Sequence, residues 1–263
     1  MTASGRNNLK MSSMAGEMNL SGKTALVTGS SRGIGRAAGL NLASRGATVV
    51  FHGVTSGEKL KSAVAEAGEN ALALTADFGD LAAVTTFADT LIKRSLVPDI
   101  LVLNASVQSY TGLANFESEE FLRMFRTNVE SSCVLLKALL PEMRKKAWGR
   151  IIFVGSINGI QPAPRLAIYG SAKAALMNIA KTAALENASF GITVNTILPG
   201  VIETDRNAAA LSNVEFAESL KAQIPMHRFG TTEECAELIA FLASDAASYI
   251  TGAEIPIAGG WQL

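Results

Sequence analysis

The chain predicts an α/β fold: a single doubly wound parallel sheet with helices on both faces. Three observations carry that prediction. Short β-branched apolar runs recur along the chain, amphipathic stretches of helical length separate them, and a glycine cluster follows the first run directly. Strands alternating with long helices indicate parallel β-α-β units. Strand centres without polar alternation agree, because a parallel sheet is covered on both faces.

Thr24–Thr28 reads as the first strand, and the stretch through Arg36 to Ser44 as the helix after it. Thr48–Phe51 is the second strand, with a helix near Glu58 to Glu66. Ala71–Ala76 is the third, followed by a helix from Leu81 to Lys93. After the fourth strand, Asp99–Leu103, a long helical pattern runs from Ser118, an N-cap residue type, to Lys146, with a kink predicted at Pro141. Arg150–Val154 is the fifth strand, a helix carrying Ile168-Tyr169-Gly170-Ser171-Ala172-Lys173 follows, and Ile192–Ile197 is the sixth. No linker or internal repeat divides the chain. One domain is expected over 19–263, preceded by a flexible polar leader over 1–18 that lacks an apolar signal core.

Composition narrows the function. Apolar residues make up 48% of the 263 and charged residues 17%, the balance of a well-buried globular protein. Basic and acidic residues number 23 each, so no global field favours nucleic acid or an anionic membrane. No apolar run reaches bilayer length. Arg144-Lys145-Lys146 reads as a solvated helix end. Cys133 and Cys235 are far apart and fit no disulfide framework, which suits a reducing, cytoplasmic location. With His52 and His227 as the only histidines, a His-based metal site or a Ser-His-Asp triad lacks material, so no metal is expected.

Doubly wound sheets bind ligands beyond the carboxyl ends of their strands, so the residues there are the candidates. Thr28-Gly29-Ser30-Ser31-Arg32-Gly33-Ile34-Gly35 follows the first strand. Its glycines suit either an ordinary tight turn or the approach of a pyrophosphate to the next helix's amides. Asp77, beside Phe78 after the third strand, suits an adenine or a turn equally. Asn104, Ala105 and Ser106 follow the fourth strand, where a ribose could lie, and Ser156 follows the fifth. Of the three tyrosines only Tyr169 has a lysine, Lys173, four residues downstream.

The order of TGSSRGIG, LNAS, TNV, a serine thirteen residues before YGSAK, and Leu198-Pro199-Gly200 resembles the short-chain dehydrogenases/reductases, from about Leu20 to the end. The resemblance implies a Rossmann-type fold and an NAD(P)(H)-dependent oxidoreductase interconverting a ketone and a secondary alcohol. It also implies four catalytic residues: Asn128, Ser156, Tyr169 and Lys173. Tyr169 would be the general acid or base; Lys173, on the same helix face, would help lower the phenol's pKa and hold the nicotinamide ribose. Ser156 would orient the carbonyl, and Asn128 would anchor a water linking Lys173 to solvent. The implied cofactor residues are Gly29, Ser31, Arg32, Gly33, Ile34 and Gly35 at the turn, with Asp77, Phe78, Asn104, Ala105 and Ser106. Pro199, Gly200, Ile202 and Thr204 would meet the nicotinamide. A substrate lid is implied at about 203–225.

Departures from the pattern refine these expectations. His52-Gly53-Val54-Thr55-Ser56 offers no acid for a ribose diol, whereas Arg32, Thr55 and Ser56 offer contacts for a 2′-phosphate, favouring NADP(H) over NAD(H). Ser106 stands where the family has glycine. Among the similar members are 3-oxoacyl carrier-protein reductases and polyol dehydrogenases. The arginines that carrier-protein reductases often use are Ala147 and Phe190 here, which favours a small free carbonyl or hydroxy substrate; the alternatives are a carrier-protein reductase or a non-catalytic dinucleotide-binding regulator. A homo-oligomer, dimer or tetramer, is implied through the long helix and the tyrosine helix. Val134-Leu135-Leu136 and Ala138-Leu139-Leu140 suit that interface or a core face equally.

Overall fold

The structure is a computed structural model describing residues 18–263, so the leader expected over 1–18 lies outside the described residues apart from Met18. Seven strands form the sheet: β1 (Thr24–Val27), β2 (Thr48–Gly53), β3 (Ala71–Thr75), β4 (Ile100–Leu103), β5 (Gly149–Val154), β6 (Ile192–Pro199) and β7 (Glu254–Ile257). Their order is β3-β2-β1-β4-β5-β6-β7, and every pairing is parallel. Ala25 pairs with both Val49 and Ile100, so β1 and β4 flank the point where the order reverses. Strands that wind away in opposite directions open a crevice at that point.

Strand alternation builds two cores. Ala25 and Val27 face α1 (Gly33–Ser44), α2 (Glu58–Ala67) and α9 (Thr232–Ala243), the last started by a capping box between Thr231 and Glu234. Leu26 faces the other way, towards α3 (Leu81–Lys93), α5 (Ser131–Lys146) and α6 (Ala167–Asn187). Each fully buried large side chain, such as Phe51 or Phe153, contributes about 1.5–3 kcal/mol.

Two elements differ from expectation. The long helix is interrupted at a π-helical turn, Arg126–Glu130, between α4 (Ser118–Phe125) and α5, and α5 runs on through Pro141. Asn128 lies within that turn, and its side chain bonds to the loop after β4 (below). β7 was not among the expected strands. It is four residues long and contains Pro256, which is tolerated because β7 lies at the sheet edge and pairs only with β6.

The apolar residues of α5 serve the core: Leu135, Leu136 and Leu139 are buried, with Val134, Ala138 and Leu140 packed beside them. The Arg144–Lys146 run is engaged within the molecule. Arg144 Nε donates to Asn187 Oδ1 at 2.8 Å and stacks over Phe190, Lys145 pairs with Glu142, and Lys146 pairs with Asp99. No described helix is long and apolar enough to cross a membrane. Among the described residues no group of three or more His, Cys, Asp or Glu could hold a metal ion.

Candidate active site

The chain leaves β1 at Gly29 with φ +63°. A Cβ there would stand 2.9 Å from Ala105 Cα, and one on Gly35 would stand 2.4 Å from Asn104 Nδ2, so close approach demands glycine at both. No side chain caps the start of α1 and its first turn holds no acid. Its amides and the positive end of its dipole are therefore available to an anion. This cradle fits a dinucleotide pyrophosphate.

Two side chains stiffen the cradle. Asn104 Nδ2 donates to Thr28 O (2.8 Å) and Gly29 O (3.0 Å), so its amide is committed to the turn rather than to a ribose. His52 Nδ1 accepts the Gly29 N–H at 3.0 Å, which places the ring proton on Nε2, donated to Ala76 O at 3.0 Å. The ring stacks on Phe78 with centroids 3.9 Å apart, and burial pushes its pKa from 6.5 down to about 4. Sequence reasoning gave His52 no role. The available signal was its place on β2, the neighbour of β1, beside the glycine turn.

A cleft of about 590 Å³ runs from this cradle across the carboxyl ends of the strands. At one end it is lined by Ser31, Arg32, Gly33, Ile34, Gly53, Val54, Asp77 and Phe78. Asp77 Oδ1 accepts from Gly79 N at 2.9 Å, so half of its carboxylate shapes the turn. Thr55 and Ser56 are exposed and do not line the cleft, which leaves Arg32 as the cation at this end.

Ser156, Tyr169 and Lys173 meet at the other end, and all three are buried. Ser156 caps a short turn, its Oγ accepting from Asn158 N at 3.2 Å. Lys173 Nζ donates to Val154 O at 2.8 Å and lies 5.6 Å from the Tyr169 ring centroid. Burial pushes the phenol above its usual 10; the Arg206 charge pulls hardest the other way, followed by the hydroxyls of Ser156 and Ser106. Burial, then Arg206, pushes Lys173 from 10.5 down to about 7. The sequence offered Lys173 as a cation that supplies part of the phenol's acidification; the folded chain brings a second cation, Arg206, to bear on the same phenol.

Asn128, in the π-helical turn, accepts from Val107 N (2.7 Å) through Oδ1 and donates to Val107 O (2.8 Å) through Nδ2. Both ends of its amide are spent on the backbone that follows Ser106. A water anchored by this residue would have to meet its main chain, not its side chain. Ser106 Oγ is itself buried and faces the phenol, with no other hydrogen-bond partner among the described residues.

The segment 203–225 roofs the cleft with two short helices, α7 (Ala208–Leu211) and α8 (Val214–Lys221). Below it Ile202 is bridged to Gly230, and Gly200 N donates to Ile257 O, while Pro199, Gly200, Ile202 and Thr204 line the cleft. Two contacts tie the roof down: Asp205 pairs with Lys59 of α2, and Arg206 Nη2 donates to Ser106 O at 2.7 Å. Sequence reasoning missed Arg206, since an arginine in a polar segment carries no signal until the segment folds back over the cleft.

A family described as enoyl-(acyl carrier protein) reductase matches residues 29–262. The 3-oxoacyl-(acyl-carrier-protein) reductase FabG of Escherichia coli strain K12 is 42% identical over 247 residues, covering 94% of this chain and 100% of that one. Among solved structures, a 3-oxoacyl (acyl-carrier-protein) reductase from Agrobacterium tumefaciens C58 with NADP bound superimposes with a TM-score of 0.91 at 33% identity, covering 96% and 99% of the two chains. A gluconate 5-dehydrogenase from Burkholderia cenocepacia J2315, in complex with NADP and tartrate, gives 0.89 at 29% identity, covering 95% and 98%. With a glycine cradle, a buried tyrosine–lysine pair on one helix and relatives matched over nearly their whole length, the chain belongs to the short-chain dehydrogenase/reductase family of NAD(P)-dependent oxidoreductases, which act on CH–OH and C=O groups.

Proposed function

We propose that the protein interconverts a small free ketone and its secondary alcohol with NADP(H), using Tyr169 as the general acid in reduction and the general base in oxidation. The observation that carries this reading is the burial of Tyr169, Ser156 and Lys173 together at one end of the cleft that begins at the glycine cradle. When bound, the nicotinamide supplies or accepts the hydride. Ser156 Oγ donates to the carbonyl oxygen and orients it, and the Tyr169 hydroxyl delivers the proton to that oxygen. Lys173, seated against Val154 O, holds the nicotinamide ribose and relays the proton towards solvent. Asn128 positions the 106–107 backbone against the site.

NADP(H) is favoured because β2 ends in Gly53, followed by Val54, with no carboxylate to repel a 2′-phosphate, and Arg32 lines the same cleft. The NADP named with two similar structures supports this preference. The roof at 203–225 acts as the lid that excludes water during transfer. A dimer or tetramer is expected through the long helix, α4 and α5, and the tyrosine helix α6; Phe121 and Leu122 of α4 and Phe116 just before it stay exposed. Two free cysteines suit a cytoplasmic setting.

A second reading, 3-oxoacyl-carrier-protein reduction, is favoured by the 42% identity to the Escherichia coli enzyme. Against it stand Ala147 and Phe190 in place of arginines, and the internal engagement of Arg144, Lys145 and Lys146. The test is a panel of ketones, polyols and 3-oxoacyl thioesters with each cofactor, following absorbance of the reduced nicotinamide. Turnover confined to carrier-bound thioesters would favour the second reading. Absence of turnover throughout the panel would reject both.

A further inference from the structure

The substrate end of the cleft carries charge of one sign. Arg206 lines it near Lys173, and Arg123 lines the same cleft, while the lining carboxylates belong elsewhere: Asp77 to the opposite end, Asp205 to its pair with Lys59. The chain as a whole is neutral, so this excess is local. Arg206 is the most telling member. It is exposed and makes one hydrogen bond, Nη2 to Ser106 O at 2.7 Å, and among the described residues no carboxylate pairs with it. Arg36, Arg45, Arg150 and Arg228 each have a carboxylate partner, in Glu66, Glu237, Asp245 and Glu234, whereas the arginines that line the cleft, Arg32, Arg123 and Arg206, have none among the described residues.

A guanidinium has five N–H donors in a rigid fork that matches a carboxylate through two parallel bonds. One donor of Arg206 is spent on Ser106 O, and that bond tethers the side chain to the residue whose hydroxyl faces the phenol. Its bond to Ser106 O, with its charge felt by both Tyr169 and Lys173, places it beside the reacting end of the cleft. Leu211, Phe216 and Leu220 of the roof line the same space, and an apolar cover strengthens an ion pair beneath it.

We infer that Arg206 is a specificity residue that receives a carboxylate on the substrate, selecting short keto acids and hydroxy acids over neutral ketones and over esters of the same acids. The inference rests on the oxidoreductase reading proposed above and names its substrate class. The tether sets the length: the carboxylate lies within a few bonds of the carbonyl that Tyr169 protonates. A carrier thioester lacks this charge and gains nothing from Arg206.

The experiment compares kcat/KM for two- to six-carbon keto acids with that for their methyl esters, using NADPH, in the parent protein, Arg206→Gln and Arg206→Lys. NADPH affinity is measured by fluorescence, and malonate binding to the protein–NADPH complex by calorimetry. The parent is expected to favour acid over ester by about tenfold to a hundredfold, the range of a charge-assisted pair. That ratio falls towards one in Arg206→Gln and is largely kept in Arg206→Lys, while NADPH affinity holds within about twofold. Equal use of acid and ester by the parent overturns the inference and leaves the oxidoreductase reading intact. A parallel loss for acid and ester with weakened NADPH binding also overturns it, by assigning the arginine to a cofactor phosphate. If the parent turns over nothing, the oxidoreductase reading fails and malonate decides: binding lost in Arg206→Gln supports the carboxylate site, and binding absent or unchanged overturns it.

Discussion

Lys173 donates its ammonium proton to Val154 O at 2.8 Å and stands 5.6 Å from the Tyr169 ring centroid, so the two share a helix face without the lysine bonding the phenol. Tyr169→Phe is therefore expected to lower kcat by about a thousandfold, the scale of general acid catalysis, with cofactor affinity retained. Cofactor binding followed by fluorescence beside steady-state turnover checks the split. Wild-type turnover in the phenylalanine variant would reject the proton-transfer role.

The same burial makes Lys173 a cost to the fold. Its pKa is about 7 in the folded chain against 10.5 for the free side chain. Between those values the unfolded chain holds a proton that the folded chain has released, so stability rises with pH across that window. At neutral pH the cost is near its full size. Lys173→Met should gain about 2 kcal/mol at pH 7 after loss of the Val154 bond, while turnover disappears. Urea unfolding at pH 7 measures it; a less stable variant would contradict the assigned cost.

His52 works in the opposite pH range. Its pKa is about 4 when folded and 6.5 when free, so the unfolded chain takes up the proton first as pH falls. The contribution is complete above pH 6.5 and is lost towards pH 4, amounting to about 3 kcal/mol. His52→Phe keeps the stacking but strands the Gly29 N–H and Ala76 C=O. It is expected to flatten the acid limb of a stability–pH curve and to weaken cofactor binding through the loosened cradle.

Ser106 carries a buried hydroxyl that faces the Tyr169 phenol. Because that hydroxyl holds the phenol's pKa down, Ser106→Ala should move the pH profile of alcohol oxidation to higher pH. An unchanged profile would separate Ser106 from the proton-transfer group.

At the far end of the cleft, the atoms nearest to a Cβ on Gly53 would be Leu60 Cδ2, Thr55 O and Ser31 Cβ, none closer than 3.3 Å. Gly53→Asp therefore fits with small adjustment. It is expected to shift the ratio of catalytic efficiencies towards NADH by about tenfold or more, with Arg32→Ala shifting it the same way. Kinetics with both cofactors decide; an unmoved ratio would displace the 2′-phosphate from this corner.

The strand–helix alternation, the glycine turn and the Tyr169–Lys173 spacing were legible in the sequence because each is a local pattern. A helix period, a strand period and a tight turn are written in neighbouring residues. β7 escaped because four residues with a proline resemble a loop until β6 offers them a partner. The division of labour inside the site was also out of reach. Asn104 and Asn128 proved to be backbone clamps, His52 a brace for the cradle, and Arg206, one hundred residues from Ser106 in the chain, the cation that acts most strongly on the phenol. Charge, burial and hydrogen-bond partners act through space and depend on which distant segments the fold brings within a few ångströms, so only the tertiary structure could decide them.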